Sequence, residues 1–155
     1  MASIEKDLSL NLKIQPTSFF KKRMKELAGV LLLALMVLLS AAFLTYNASD
    51  ASWNSANTAT AINILGAPGA IISDVLIQMI GIANFLLVIV PSFWGIRLLT
   101  HNSIEKPFLR LIFLSIGVIL FSSSVARTSV PEFWPTSSGL GGTLGLIVFD
   151  QTLLL

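Results

Sequence analysis

The 155-residue chain has no cysteine, one histidine, one tyrosine and few charged residues. Without cysteine it has no disulfide, no thiolate metal ligand and no thiol nucleophile, and the redox compartment stays undecided. His101 stands alone with no second ligand near it in sequence, so it reads as a solvated surface residue and no metal site is expected. Charged residues make up 12 % of the chain, against roughly 25 % in a typical soluble domain. A soluble fold of this length needs a polar shell, and the residues to build one are missing.

What is present is apolar and blocked. Hydrophobic residues reach 54 % and the mean hydropathy is +0.83. They fall in long uncharged runs, the pattern of lipid-facing helices. The first run, Leu27–Tyr46, is rich in Leu, Ala, Met and Val and is uncharged throughout. As a helix it covers about 30 Å, a bilayer core. A cleaved signal peptide is the rival reading, but its apolar core is usually shorter, about 7–15 residues, and further runs follow here. The second run, Val75–Ile96, lies between Asp74 and Arg97, and Pro91 inside it predicts a kink near Phe85–Val90. The third, Leu111–Ala126, is bounded by Arg110 and Arg127, which can snorkel. The fourth starts near Gly142 and is short. Before the first run, Pro16 is expected to break any long helix, leaving a mobile or interfacial segment.

The expected architecture is therefore all-α: a polytopic transmembrane helical bundle with three full spans and a short or truncated fourth. The spans fall near 27–46, 72–97, 109–126 and 142–155, after a basic N-terminal segment over 1–26. Alternation places that segment and the Arg97–Arg110 loop on one side. Nine of the ten Lys and Arg lie there, and Arg127 alone lies on the other. Cytoplasmic loops carry the Lys/Arg excess, so the N-terminus is expected inside. Lys21, Lys22, Arg23 and Lys25 adjoin the first span without interleaved aromatics, which suits anionic lipid better than DNA. Asp150 and the terminal carboxylate in the fourth run would be costly at membrane depth. That awkwardness leads to the expectation that the chain is the front part of a longer product.

The connection between the first two spans has the most patterned residues. It runs through Asp50, Ser52 and Trp53, then Asn63, Gly66, Gly69, Ala70 and Asp74. Gly66 permits a tight turn, Pro68 suits a helix start, and Asp74 is placed to favour the helix dipole. A shaped hairpin and helix cap accounts for all of this on physical grounds. Gly141 and Gly145 form a G-x-x-x-G spacing, a close-packing motif or a chance feature of a Gly-rich turn.

These residues resemble the N-terminal membrane domain of the FtsK/SpoIIIE DNA translocases, over about Phe20–Leu155. Asp50, Ser52, Trp53, Asn63, Gly66, Gly69, Ala70 and Asp74 match the family's pattern, and Ala51 stands where a proline is usual. Gly141, Gly142, Gly145 and Asp150 resemble its approach to a fourth span. The resemblance implies a bacterial inner-membrane domain of four spans with both ends on the cytoplasmic side, septal targeting, self-assembly, and contact with divisome membrane proteins. In that family a long linker leads from the membrane domain to a hexameric ATP-driven motor that pumps DNA. No G-x-x-x-x-G-K-[ST] phosphate loop occurs in this chain. No catalytic residue, cofactor or direct DNA contact is expected from it.

The rival functional class is a standalone small transporter subunit or pore-former. It requires polar groups facing one another inside the membrane, and the spans offer Ser40, Gln78, Asn84, Ser92, Ser115 and Ser122–Ser124. An enzyme working within the membrane has less support still, since no histidine or paired carboxylates lie in the spans.

Overall fold

The computed structural model describes the backbone of residues 2–50 and 60–152, and side chains from residue 19 onward within them. Five α-helices follow one another: α1 (Ala2–Leu44), α2 (Gly66–Ile80), α3 (Asn84–Leu99), α4 (Pro107–Val125) and α5 (Gly142–Thr152). A 3-10 turn, Gly81–Ala83, joins α2 to α3. No strand occurs among the described residues. Three stretches are long and apolar enough to cross a membrane: Phe19–Leu44, Gly66–Leu99 and Pro107–Val125. Side chains such as Val37, Phe93, Phe113 and Leu120 point outward from them, as lipid-facing residues must.

α1 and α3 form the tightest pair. The Gly29 Cα lies where an added Cβ would sit 2.9 Å from the Gly95 carbonyl oxygen, and Gly95 packs on Leu33. At the other end of the pair, Phe43 meets Phe85 edge to face with ring centroids 6.3 Å apart. The two helices therefore run antiparallel over their whole shared length, with small residues letting the backbones close. α4 packs on the junction of α2 and α3, where its Val118 meets Ile80 and Ala83 with Leu86 and Leu87 beside them.

Two sequence expectations are corrected. α1 runs unbroken through Pro16. One proline removes one rung of the ladder, and a helix continuous with a membrane span can tolerate that loss. In the second span the interruption falls at Gly81, not at Phe85–Val90. Gly81 has φ +58°, a value open to glycine. The Leu140 carbonyl oxygen fills the space where a Gly81 side chain would stand and accepts a hydrogen bond from the Ile82 amide at 2.8 Å. A backbone docked from the later loop thus sets the break. Pro91 lies inside a continuous α3, with the Ser92 hydroxyl donating to the Val88 carbonyl beside it at 2.7 Å.

The break changes what spans. The first turn of α2 sits beside the end of α1, since Asn63 binds the Ala42 carbonyl. Its last turn leads through Gly81–Ala83 to Phe85, which lies on Phe43. Both ends of this 15-residue helix are thus near the same end of α1, so α2 crosses that end. The stretch alongside α1 is α3 with the 3-10 turn, together about 30 Å. The expected span of 72–97 is therefore a crossing helix followed by a span that starts near Gly81. α5 packs on α4 and α2, where Gly141 and Gly145 lie against the Ser122 backbone and Gly142 against Met79 and Gly81. The Gly141/Gly145 spacing is a real packing surface.

Charge sorts to opposite ends. Lys25 Nζ donates to Ser103 Oγ at 3.0 Å, and His101 lies 3.5 Å from Glu26. Arg97 and Arg110 donate to the carbonyls of Ser103 and Glu105 in the same loop. Arg127 is at the other end, 2.6 Å from Asp150.

Candidate functional site

The patterned residues between the first two spans converge at the end of the bundle opposite the basic cluster. The site begins with a local turn. The Asn47 side-chain oxygen accepts from the Ser49 amide at 2.9 Å, and the Asp50 amide donates to the Asn47 carbonyl at 3.1 Å. This Asx turn ends the helix direction of α1 and aims Asp50 inward. The Asp50 carboxylate then accepts the Ile62 and Asn63 amides at 2.8 and 3.0 Å. One buried carboxylate so ties the two ends of the connecting loop together. Trp53 lies outside the described residues.

Asn63 is 3 % exposed and joins the loop to α1. Its side-chain amide donates to the carbonyls of Ala42 and Thr45 at 2.9 and 3.3 Å. These are among the last carbonyls of α1, which no further turn of helix can satisfy. Its Oδ1 accepts the Leu65 amide at 3.1 Å, and its own carbonyl accepts the Gly66 amide at 2.7 Å. Gly66 then turns the chain into α2 at φ +64°. Gly69 is needed because an added Cβ would overlap Asn63 Oδ1 and Leu65 Cβ. Ala70, 2 % exposed, fills the adjoining contact. One residue set thus caps one helix and starts the next.

Asp74 stands differently from its expected place. α2 starts at Gly66, so Asp74 lies in its interior and has no role at the helix start. Its carboxylate accepts from the Tyr46 hydroxyl at 2.8 Å and from Gln78 Nε2 at 2.7 Å. Burial, and then the Asp74 carboxylate, push the Tyr46 phenol well above its ordinary pKa, so it remains a donor. The sequence pattern included Asp74 but missed Tyr46 and Gln78. Gln78 stands one helical turn beyond Asp74, a spacing that brings side chains together.

Two cavities open beside this network. One of about 470 Å³ is polar, lined by Tyr46, Gln78, Thr136, Ser137, Ser138 and Thr143 among others. The second, about 280 Å³, is aromatic, with Phe43, Phe85, Phe133 and Trp134. It is bordered by Asn84, whose Oδ1 is the buried side-chain oxygen without a hydrogen bond among the described residues. Both cavities border Tyr46 and Pro135. Among the described residues no three His, Asp or Glu side chains converge on a point. The carboxylates are engaged with amides and a hydroxyl, so the chemistry of the site is holding and shaping.

The basic residues lie at the opposite end. Lys21, Lys22 and Arg23 are exposed and Lys25 is half-buried. Arg23 pairs with Glu26 and its guanidinium lies 5.1 Å from the Phe19 ring centre.

Comparison with known proteins agrees with these features. Residues 21–154 match the family described as the 4TM region of DNA translocase FtsK/SpoIIIE. A DNA translocase FtsK of Bradyrhizobium diazoefficiens is 35 % identical over 94 % of this chain and 18 % of its own length. One from Azospirillum brasilense is 35 % identical over 86 % of this chain and 21 % of its own. One from Agrobacterium fabrum is 32 % identical over 83 % and 14 %. The chain thus spans about a fifth or less of the length of these relatives. No solved structure matches.

Proposed function

The chain belongs to the FtsK/SpoIIIE DNA translocase family, whose 4TM membrane region it carries, and from this premise we propose that it anchors and positions a cell-division DNA translocase in the bacterial inner membrane. Its N-terminus faces the cytoplasm, where its cations meet anionic lipid. These residues hydrolyse no ATP and touch no DNA. They target the division septum, assemble with further copies and contact divisome membrane proteins.

The observation that carries this reading is the hairpin. Asp50, Asn63, Gly69 and Asp74 are engaged in fixing the described ends of the loop and α2 on the end of α1 and on Tyr46 beyond it. A rigid, shaped surface with polar and aromatic cavities suits a docking role better than a reactive one. The polar residues of the spans also argue against a pore. Ser40, Ser92 and Ser115 bond carbonyls of their own helices four residues back. Ser122 bonds the Gly141 carbonyl.

Localisation tests the proposal. The chain, fused to a fluorescent protein and expressed in a dividing bacterium at low level, is expected to collect at the constriction site. Uniform labelling of the envelope through the division cycle would defeat the septal assignment and leave only the membrane anchor.

A further inference from the structure

α3 and α4 touch at one end and part at the other. Near the end opposite the basic cluster Ala83 and Val118 pack with Leu87 and Leu114 in one apolar cluster. Toward the basic end an open cleft of about 380 Å³ lies between the helices, lined by Leu86, Val90 and Phe113, with Trp94 and Arg110 nearest the basic end. That volume lies within the range of about 300–1,000 Å³ usual for small-molecule sites. We propose that the cleft binds one anionic phospholipid, with an acyl chain along its walls and the phosphate on Arg110.

Three observations favour this occupant. Gly117 lies on the cleft wall, and an added Cβ there would meet nothing within 4 Å. The mid-helix glycines Gly29, Gly95 and Gly145 instead bring neighbouring segments into contact. The missing side chain at 117 therefore leaves room for something not part of the fold.

The second observation is the cation. Arg110 is half-buried and its Nε donates to the Glu105 backbone carbonyl at 2.9 Å. It forms no ion pair among the described residues. With one edge held by the loop, the remaining N–H groups form a fixed fork that suits a phosphate. Arg97 is held in the same way, on the Ser103 carbonyl at 3.2 Å, and Lys106 stands at the position just before α4. Basic pockets between spanning helices are a recurring mode of headgroup recognition.

The third is depth. Trp94 beside Arg110 is the residue type that settles at the headgroup level, with apolar side chains continuing inward from it.

Native mass spectrometry of the full chain, released from mild detergent, tests the proposal. Phosphatidylglycerol and phosphatidylcholine with identical acyl chains are added at equal concentration. The unaltered chain is expected to retain phosphatidylglycerol roughly fivefold better, the effect of about 1 kcal/mol for one cation at the headgroup. Arg110→Gln should bring the two lipids near parity, while Arg127→Gln, at the opposite end, should keep the preference. Gly117→Leu, which fills the cleft and spares the cation, should lower retention of both. Equal retention by the unaltered chain, or an undiminished preference in Arg110→Gln, overturns the proposal. So does a lipid-free dimer that Gly117→Leu abolishes, which would assign the cleft to a second copy.

Discussion

Asn63 shows how much one side chain carries when a helix must end inside a packed assembly. Its amide supplies donors to two α1 carbonyls, and its oxygen accepts the Leu65 amide. Removing it leaves buried backbone groups without partners, which costs about 1–3 kcal/mol. Asn63→Ala is therefore expected to lower unfolding stability by that amount, read as a shifted midpoint in a denaturing-detergent titration. Asn63→Asp should cost more, because a carboxylate cannot donate and brings charge against two carbonyl dipoles. Ile64, 69 % exposed, gives the control, and Ile64→Ala should leave the midpoint in place. Equal midpoints for the Asn63 and Ile64 variants would remove Asn63 from the account of how α1 ends. Much of this site was legible in the sequence, because Asn, Gly and Asp in a hairpin have few physical uses. The partners of those residues were not legible. Two of Asn63's acceptors are backbone carbonyls, which carry no sequence signal, and Tyr46 meets Asp74 from 28 residues away.

At the scale of an element, the second span shows where reading a sequence locally runs out. Proline is a local breaker, so Pro91 marked the kink. The actual break needs a contact from 58 residues away, the Ile82 amide on the Leu140 carbonyl, and glycine permits it without announcing it. The long apolar runs were readable because lipid demands them at every position. The crossing path of α2 was not, because its composition is also apolar, while its direction depends on Gly81 and on docking against α1 and α5. The two candidates for the break predict different behaviour. Gly81→Ala puts a side chain against the Leu140 carbonyl and strains a left-handed φ by about 1–2 kcal/mol. The 128–141 loop should then lift, and the Ile82 amide should lose protection in hydrogen exchange by roughly tenfold or more. Pro91→Ala restores a ladder donor in α3 and should leave that amide unchanged. If Pro91→Ala exposes the Ile82 amide and Gly81→Ala does not, the break has been assigned to the wrong residue.

For the whole molecule, the sorting of charge decides which way the bundle stands. The structure brings Lys25, Arg97, Lys106 and Arg110 to one end through contacts with the 97–110 loop. The hairpin, the two cavities and the Arg127–Asp150 pair occupy the opposite end. Moving four cations through lipid costs far more than moving one, so the positive-inside bias predicts insertion with the basic end inside. The absence of cysteine makes this directly measurable, since a single introduced thiol is labelled without background. Ser103 and Ser137 are exposed at the two ends. A membrane-impermeant maleimide added to intact spheroplasts is expected to label Ser137→Cys and spare Ser103→Cys, and inside-out vesicles should reverse the pattern. Labelling of both residues from outside would mean that α3 fails to cross, because residue 103 follows it directly. Labelling of Ser103→Cys alone would invert the molecule, placing the hairpin in the cytoplasm and detaching Arg110 from the leaflet whose charge it is proposed to read.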